Sequence, residues 1–139
     1  MKTYQIGIDG PSGVGKSSIA KNICKRLGYL FINTGGMYRC YALALLNNKT
    51  DINNIDEVLK VLRSNEVTLK EDQLFLNGED VTAKVADPTV AALASKIGTI
   101  GEVRKYCVAA QQKIAEGVNC VMEGRDITSV VLPNATLKV

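Results

Sequence analysis

The sequence predicts an α/β fold, a parallel sheet flanked by helices and carrying a small antiparallel β insert, on three observations. A β-rich segment, Tyr4-Gln5-Ile6-Gly7-Ile8, runs through a glycine-rich stretch into the helical pattern Ser18-Ile19-Ala20-Lys21-Asn22-Ile23-Cys24. A second apolar run, Tyr29-Leu30-Phe31-Ile32, follows Gly28, a helix-closing residue, and completes a β-α-β unit with 4 to 8 as its parallel partner. Between 66 and 82 the period changes from helical to alternating, with Asn77-Gly78 as a hairpin turn. A length of 139 residues fits one domain, 1–139.

The remaining elements follow in order. Met37 to Asn47 carries an apolar helical stripe, Asp51 to Asn54 is a polar turn, and Asp56 to Arg63 is a short helix. The insert divides into Glu66-Val67-Thr68-Leu69, Gln73-Leu74-Phe75-Leu76 and Glu79-Asp80-Val81-Thr82, with Lys70-Glu71-Asp72 joining the first two. Asp87-Pro88 opens a helix with Val90, Leu93, Ala94 and Ile97 on one face, and Gly98 to Gly101 breaks it. A longer helix spans Glu102 to Glu116. Cys120-Val121-Met122 then forms a buried strand, and Thr136 to Val139 begins another.

With 17 Lys and Arg against 14 Asp and Glu, the formal charge is +3. No basic cluster extends beyond pairs such as Lys25-Arg26 and Arg104-Lys105, so no nucleic-acid partner is expected. The longest apolar run, Cys40 to Leu46, falls well short of a bilayer span, and no signal-peptide core precedes Asp9. These features predict a cytoplasmic protein with no membrane partner. Cys24, Cys40, Cys107 and Cys120 are scattered among apolar neighbours without a Cys-x-x-Cys pair, which predicts reduced, buried thiols. Histidine is absent, which removes imidazole base catalysis and most zinc chemistry.

Residues 10 to 17 read Gly-Pro-Ser-Gly-Val-Gly-Lys-Ser, a complete Gly-x-x-x-x-Gly-Lys-Ser phosphate loop between a strand and a helix. A polyphosphate must be wrapped closely by backbone N–H groups, and Gly10, Gly13 and Gly15 allow that approach. Lys16 supplies a point charge for the β- and γ-phosphates, Ser17 a hydroxyl for Mg²⁺, and the helix after it a positive dipole end. Gly10, Pro11, Ser12, Gly13, Val14, Gly15, Lys16, Ser17 and Ser18 are therefore the residues expected to hold ATP with Mg²⁺. Asp9 either fixes Mg²⁺ waters, orients Lys16 or caps the loop.

Two further clusters lie where ligands gather in open α/β sheets, at the carboxyl ends of strands. Asn33-Thr34-Gly35-Gly36-Met37-Tyr38-Arg39 offers hydroxyl and N–H donors and a guanidinium suited to bidentate phosphate binding, or else an ordinary helix start capped by Thr34. Glu123-Gly124-Arg125-Asp126 follows the apolar strand as a charged cluster, or else as a surface turn with Arg125 paired to Asp126.

The order of phosphate loop, Thr-Gly-Gly-Met-Tyr-Arg, β insert and Gly-Arg-Asp resembles the bacterial cytidylate kinase family. The resemblance runs over essentially the whole chain. It includes Asp9 to Gly13, Leu76 to Val81, Val90-Ala91 with Ser95, Val103-Arg104, Gly124 to Ile127 and Val130 to Pro133. It implies a P-loop NTPase fold whose monophosphate-binding region, 34–118, contains the insert at 66–82. It also implies transfer of the γ-phosphate of ATP to CMP or dCMP with Mg²⁺. Lys16 and Arg125 would be catalytic, Ser17 would ligate the metal, and Thr34, Tyr38, Arg39, Ser95, Arg104, Arg125 and Asp126 would bind the monophosphate. A carboxylate at Asp126 facing the exocyclic amine of cytosine, with Ser95 and Arg104 facing O2 and N3, would accept cytosine and penalise uracil. No general base is needed, because the attacking phosphate oxygen has a second pKa of about 6.

The chain departs from the family pattern at Asn33 (commonly Asp), Gly36 (commonly Ala), Glu123 (Asp) and Thr128-Ser129 (Gly-Thr). Family members also continue through a further core strand and an arginine-bearing lid. The expectation is a monomer for the full-length family, and weak turnover with possible association for these 139 residues. Two other readings compete: a non-catalytic nucleotide-binding module, and a P-loop kinase for another small acceptor such as shikimate or dephospho-CoA.

Overall fold

A computed structural model describes residues 3–9, 16–70, 73–124 and 127–138. The chain divides into two compact units, Met1–Thr34 with Val108–Val139, and Gly35–Cys107.

The first unit is built on a parallel sheet. Its strands are β1 (Gln5–Asp9), β2 (Leu30–Asn33), β6 (Cys120–Gly124) and β7 (Leu137–Lys138), in the order β2-β6-β1-β7. Contrary to the sequence expectation, β2 does not pair with β1; both pair with β6, which lies between them. The reason is hydrophobic: Cys120, Val121 and Met122 are all fully buried, as a central strand covered on both faces must be. Helix α1 (Lys16–Leu27) packs Ala20 and Cys24 against Ile8, Phe31 and Val121. Gly28 ends the helix at φ +69, a left-handed conformation that glycine adopts without steric cost. Five residues after β6, Ile127–Val131, form a single π turn that the sequence pattern did not reveal. Its closing bond runs from the Leu132 N–H to the Ile127 carbonyl at 2.7 Å.

The second unit begins inside α2 (Thr34–Asn47), which starts three residues earlier than the apolar stripe from Met37 suggested. Helix α3 (Ile55–Ser64) starts at Asn54, whose side chain accepts the Glu57 N–H at 3.2 Å, and buries Val58 and Leu62. The insert forms as expected: β3 (Val67–Lys70), β4 (Gln73–Leu76) and the short β5 (Glu79–Asp80) make an antiparallel sheet in the order β3-β4-β5. Val67 faces Leu76 and Leu69 faces Leu74, so the alternating apolar residues share one face. The third strand is shorter than expected, because Asp80 takes the Thr82 N–H and hydroxyl at 2.9 and 2.7 Å and turns the chain. Those two bonds hold the exposed Asp80 carboxyl below its ordinary pKa, chiefly through the Thr82 hydroxyl.

Asp87 caps α4 (Pro88–Ile97) by accepting the Thr89 N–H at 2.7 Å, with Pro88 in the first turn and Val90, Ala94 and Ile97 buried. Helix α5 (Gly101–Ala115) follows and passes from the second unit into the first. The four cysteines are free and buried, as expected.

Candidate functional site

In the first unit the carboxyl ends of three strands lie in one row. Asp9 at the end of β1 is in register with Gly124, and Glu123 is in register with both Ile8 of β1 and Asn33 of β2. Each strand therefore ends at the same edge of the sheet, and each is followed in the sequence by a segment singled out above: the phosphate loop after Asp9, Thr-Gly-Gly after Asn33, and Arg125-Asp126 after Gly124. Such an edge is where ligands bind in open parallel sheets.

The phosphate-loop residues Gly10 to Gly15, with Arg125 and Asp126, lie outside the described residues, as do the side chains of Lys16 and Ser17. What surrounds the loop is the required frame, a strand ending at Asp9 and a helix beginning at Lys16. Thr34 is buried, and its hydroxyl donates to the Glu123 carbonyl at 3.1 Å. That bond ties the start of α2 to the end of β6. The approach is so close that a Cβ at Gly124 would collide with Thr34 Oγ1 and lie 3.1 Å from Ile127 Cδ1. Glycine at 124 is thus a packing requirement.

Glu123 corrects the sequence expectation of a charged cluster beyond the strand. It belongs to β6 and is only 7% exposed. Asp9 also makes a contact that the sequence did not suggest. Its carboxylate accepts the N–H groups of Ile127 and Thr128 at 2.6 and 3.1 Å and the Thr128 hydroxyl, so it caps the π turn after β6.

In the second unit, two predicted substrate residues come together. The half-buried Tyr38 phenol on α2 lies beside the Arg104 guanidinium and the Cys107 thiol on α5, and both influence its titration. Burial pushes the Tyr38 pKa up to about 12, Cys107 adding to the rise and Arg104 opposing it. Burial likewise pushes the Cys107 thiol to about 12, so both groups stay protonated at neutral pH. Beside them Tyr41 and Tyr106 meet edge to face at 5.8 Å, and the Tyr106 hydroxyl donates to the Leu62 carbonyl at 3.2 Å. These contacts fix α2, α3 and the first turns of α5 around the Tyr38 phenol. Arg39 is half-buried on α2, and Ser95 is exposed on α4. Sequence reasoning took Cys107 only as a core thiol; its position three residues after Arg104 on one helix face was the available signal.

Among the described residues no cluster of three or more His, Cys, Asp or Glu could cage a metal ion, and no helix is long and apolar enough to cross a membrane. The first observation is compatible with Mg²⁺, which takes one or two protein ligands and completes its shell with phosphate oxygens and water.

The cytidylate kinase family model matches residues 6–139. The chain is 43% identical over 136 residues to a cytidylate kinase of Caldanaerobacter subterraneus subsp. tengcongensis, covering 98% of this chain and 61% of the relative. It is 43% identical over 143 residues to a cytidylate kinase of Caldicellulosiruptor saccharolyticus, covering 100% of this chain and 63% of the relative. A cytidylate kinase of Solibacter usitatus is 44% identical over 138 residues, covering 99% and 60%. The chain thus spans a little over three-fifths of the length of the relatives it matches.

Proposed function

Because this chain belongs to the cytidylate kinase family, we propose that it carries the donor and acceptor sites of an ATP-dependent kinase that phosphorylates CMP or dCMP to CDP or dCDP. The observation that carries the reading is the family match over residues 6–139, which takes in the phosphate loop, the insert and Gly124-Arg125-Asp126 together. The alignment of three strand ends at one sheet edge supports it.

Residues 10 to 18 would hold ATP, with backbone N–H groups around the phosphates and Lys16 as the charge on the β- and γ-oxygens. Ser17 would hold Mg²⁺, and Glu123, buried on the strand next to β1, is a carboxylate suited to one of the metal's waters. When bound, the metal neutralises the charge that gathers on the phosphoryl oxygens. Thr34, Tyr38, Arg39, Ser95, Arg104, Arg125 and Asp126 would take the monophosphate. Tyr38, which lies beside Arg104, would help to orient that guanidinium. Lys16 and Arg125 would stabilise the transferring group, and the acceptor oxygen needs no base.

A coupled assay of ADP release, run on this chain and on the longest reading frame that contains it, tests the reading with Mg·ATP and CMP, dCMP, UMP or shikimate as acceptor. CMP- or dCMP-dependent turnover, with UMP at least about tenfold poorer, is the expected result, since an unpaired buried polar group discriminates at that level or better. Turnover with shikimate alone would replace the acceptor. Mg·ATP binding without turnover on any acceptor in either protein would favour a nucleotide-binding module.

A further inference from the structure

Asn77-Gly78 is the single Asn-Gly dipeptide in the sequence, and both residues are exposed at the turn between β4 and β5. An asparagine side-chain carbon is attacked by the next backbone nitrogen most readily when glycine follows, because no side chain then shields that nitrogen. The surroundings shield it no better, since a Cβ at Gly78 would meet nothing within 4 Å. The kinase reading given above makes no use of the Asn77 side chain, yet both ends of its amide are engaged.

Asn77 Oδ1 accepts the Glu66 N–H at 2.7 Å, and Asn77 Nδ2 donates to Asn65 Oδ1 at 2.8 Å. Asn65 is held from turning its own amide over, because its Nδ2 donates to the carbonyl of Val61 in the last turn of α3 at 2.7 Å. The Asn77 N–H adds a bond to the Glu66 carbonyl at 2.8 Å. Position 77 therefore needs a side-chain donor and an acceptor together, which an amide supplies and an ionised carboxylate does not. The amide is planar, and attack at Cγ makes that carbon tetrahedral, carrying Oδ1 and Nδ2 out of the plane in which Glu66 and Asn65 hold them. The two bonds must open before the carbon reacts.

We propose that Asn77 is a site of spontaneous deamidation, held in check by its bonds to Asn65 and Glu66, and that its conversion releases the β4–β5 turn from the end of α3. The Gly78 nitrogen forms a bond to Asn77 Cγ, the Cγ–Nδ2 bond breaks, and the Gly78 proton leaves with Nδ2 as ammonia, giving a cyclic succinimide. Water then adds at either ring carbonyl and reopens the ring: cleavage of the new Cγ–N bond gives aspartate, and cleavage of the original peptide bond gives isoaspartate. No electrons change hands; one ammonia is exchanged for one water. Aspartate sets a carboxylate opposite Asn65 Oδ1, an acceptor facing an acceptor, in a segment that already carries the exposed acids Glu66, Glu79 and Asp80. Isoaspartate lengthens the backbone by a carbon where Leu76 faces Glu79. The rate is set by local opening of the two bonds, not by unfolding of the chain.

The test incubates wild type, Asn65→Ala and Asn65→Asp at mildly alkaline pH, with wild type unfolded in urea as the reference, and measures aspartate and isoaspartate at 77 by peptide mass mapping. Folded wild type should convert at least about tenfold more slowly than the unfolded chain, and Asn65→Ala about fivefold faster than folded wild type, the equivalent of one hydrogen bond. Asn65→Asp keeps an acceptor for Asn77 Nδ2 and should stay within about twofold of wild type. Conversion of folded wild type at the unfolded rate would overturn the proposal, as would equal rates in wild type and Asn65→Ala, or equal acceleration by both Asn65 variants. If Asn65→Ala does not fold, wild type in urea below its midpoint carries the test: conversion should rise in proportion to hydrogen exchange at the Glu66 and Asn77 amides, and a rate indifferent to that exchange would overturn the proposal. Asn77→Asp tests the release of the turn. Exchange at the Glu66 amide and at the amide of residue 77 should be at least about threefold faster than in wild type, and unchanged exchange would overturn that step.

Discussion

A single methyl group at residue 124 tests how tightly the strand ends are joined. Thr34 Oγ1 occupies the space a Cβ would need, and Ile127 Cδ1 closes the other side. Overpacking of this kind costs about 1–3 kcal/mol, so Gly124→Ala should lower stability by that amount in urea unfolding. Thr34→Ala alone loses one buried hydrogen bond, worth about 1 kcal/mol. In the double variant the clash is relieved, so its loss should be smaller than the sum of the two; simple additivity would show that no clash exists. The sequence displayed Thr34, Glu123 and Gly124 as residues but not their association, because Thr34 and Glu123 lie 89 positions apart. Asp9 and Ile127 are separated by 118. Local pattern cannot reveal a bond of that span, so the sequence alone leaves Asp9 several roles. Tyr38 and Arg104 follow from the family resemblance; that Cys107 lies beside the same phenol depends on the packing of α2 on α5.

Among the elements, those specified locally were the legible ones. The Asn77-Gly78 turn takes φ +53 and +83, the left-handed pair that a two-residue hairpin requires, and Asn77 adds side-chain bonds to the Glu66 N–H at 2.7 Å and to Asn65 at 2.8 Å. A Cβ at Gly78 would meet nothing within 4 Å. Its replacement therefore isolates the conformational term, and Gly78→Ala should cost about 1–2 kcal/mol, the penalty of an L-residue in left-handed geometry. Denaturant unfolding checks this, and a loss below about 0.3 kcal/mol would mean that the turn relaxes to another type. The helix start at Asp87-Pro88 was legible for the same reason, whereas Asn54, read only as part of a polar turn, proves to be the cap of α3. Strand order was not. β1 and β2 each carry the apolar pattern of a buried parallel strand, and only the entry of β6 between them, from almost ninety residues later in the chain, decides which edges pair. The π turn escaped notice because five residues are too few to establish a period.

For the molecule as a whole, the buried acids predict its response to alkali. A thiol or phenol is charged only when it loses its proton, so burial disfavours the ionised form and raises the pKa. From ordinary values of 9.0 for the thiols and 10.0 for Tyr38, Cys40 and Cys120 rise to about 11 and Cys107 and Tyr38 to about 12, with desolvation the largest cause in each. Tyr41 is raised for the same reason. Below pH 8 both folded and unfolded chains keep these protons, and the groups contribute no slope. Above pH 9 the unfolded chain releases protons that the folded chain retains, so it binds fewer, and stability must fall as pH rises. Each thiol contributes up to about 1.4 kcal/mol per pH unit over the interval between its two pKa values. The urea midpoint should therefore fall steeply between pH 9 and 11, and a midpoint unchanged from pH 8 to 10.5 would contradict the burial of these groups. Cys120→Ala separates this effect from general charge repulsion, because it removes one thiol's share of the slope without adding charge. Cys40 and Cys107 belong to one compact unit and Cys120 to the other. Alkaline loosening should therefore reach amides in both units, and hydrogen exchange confined to one of them at pH 10 would show that the thiols of the other are not desolvated.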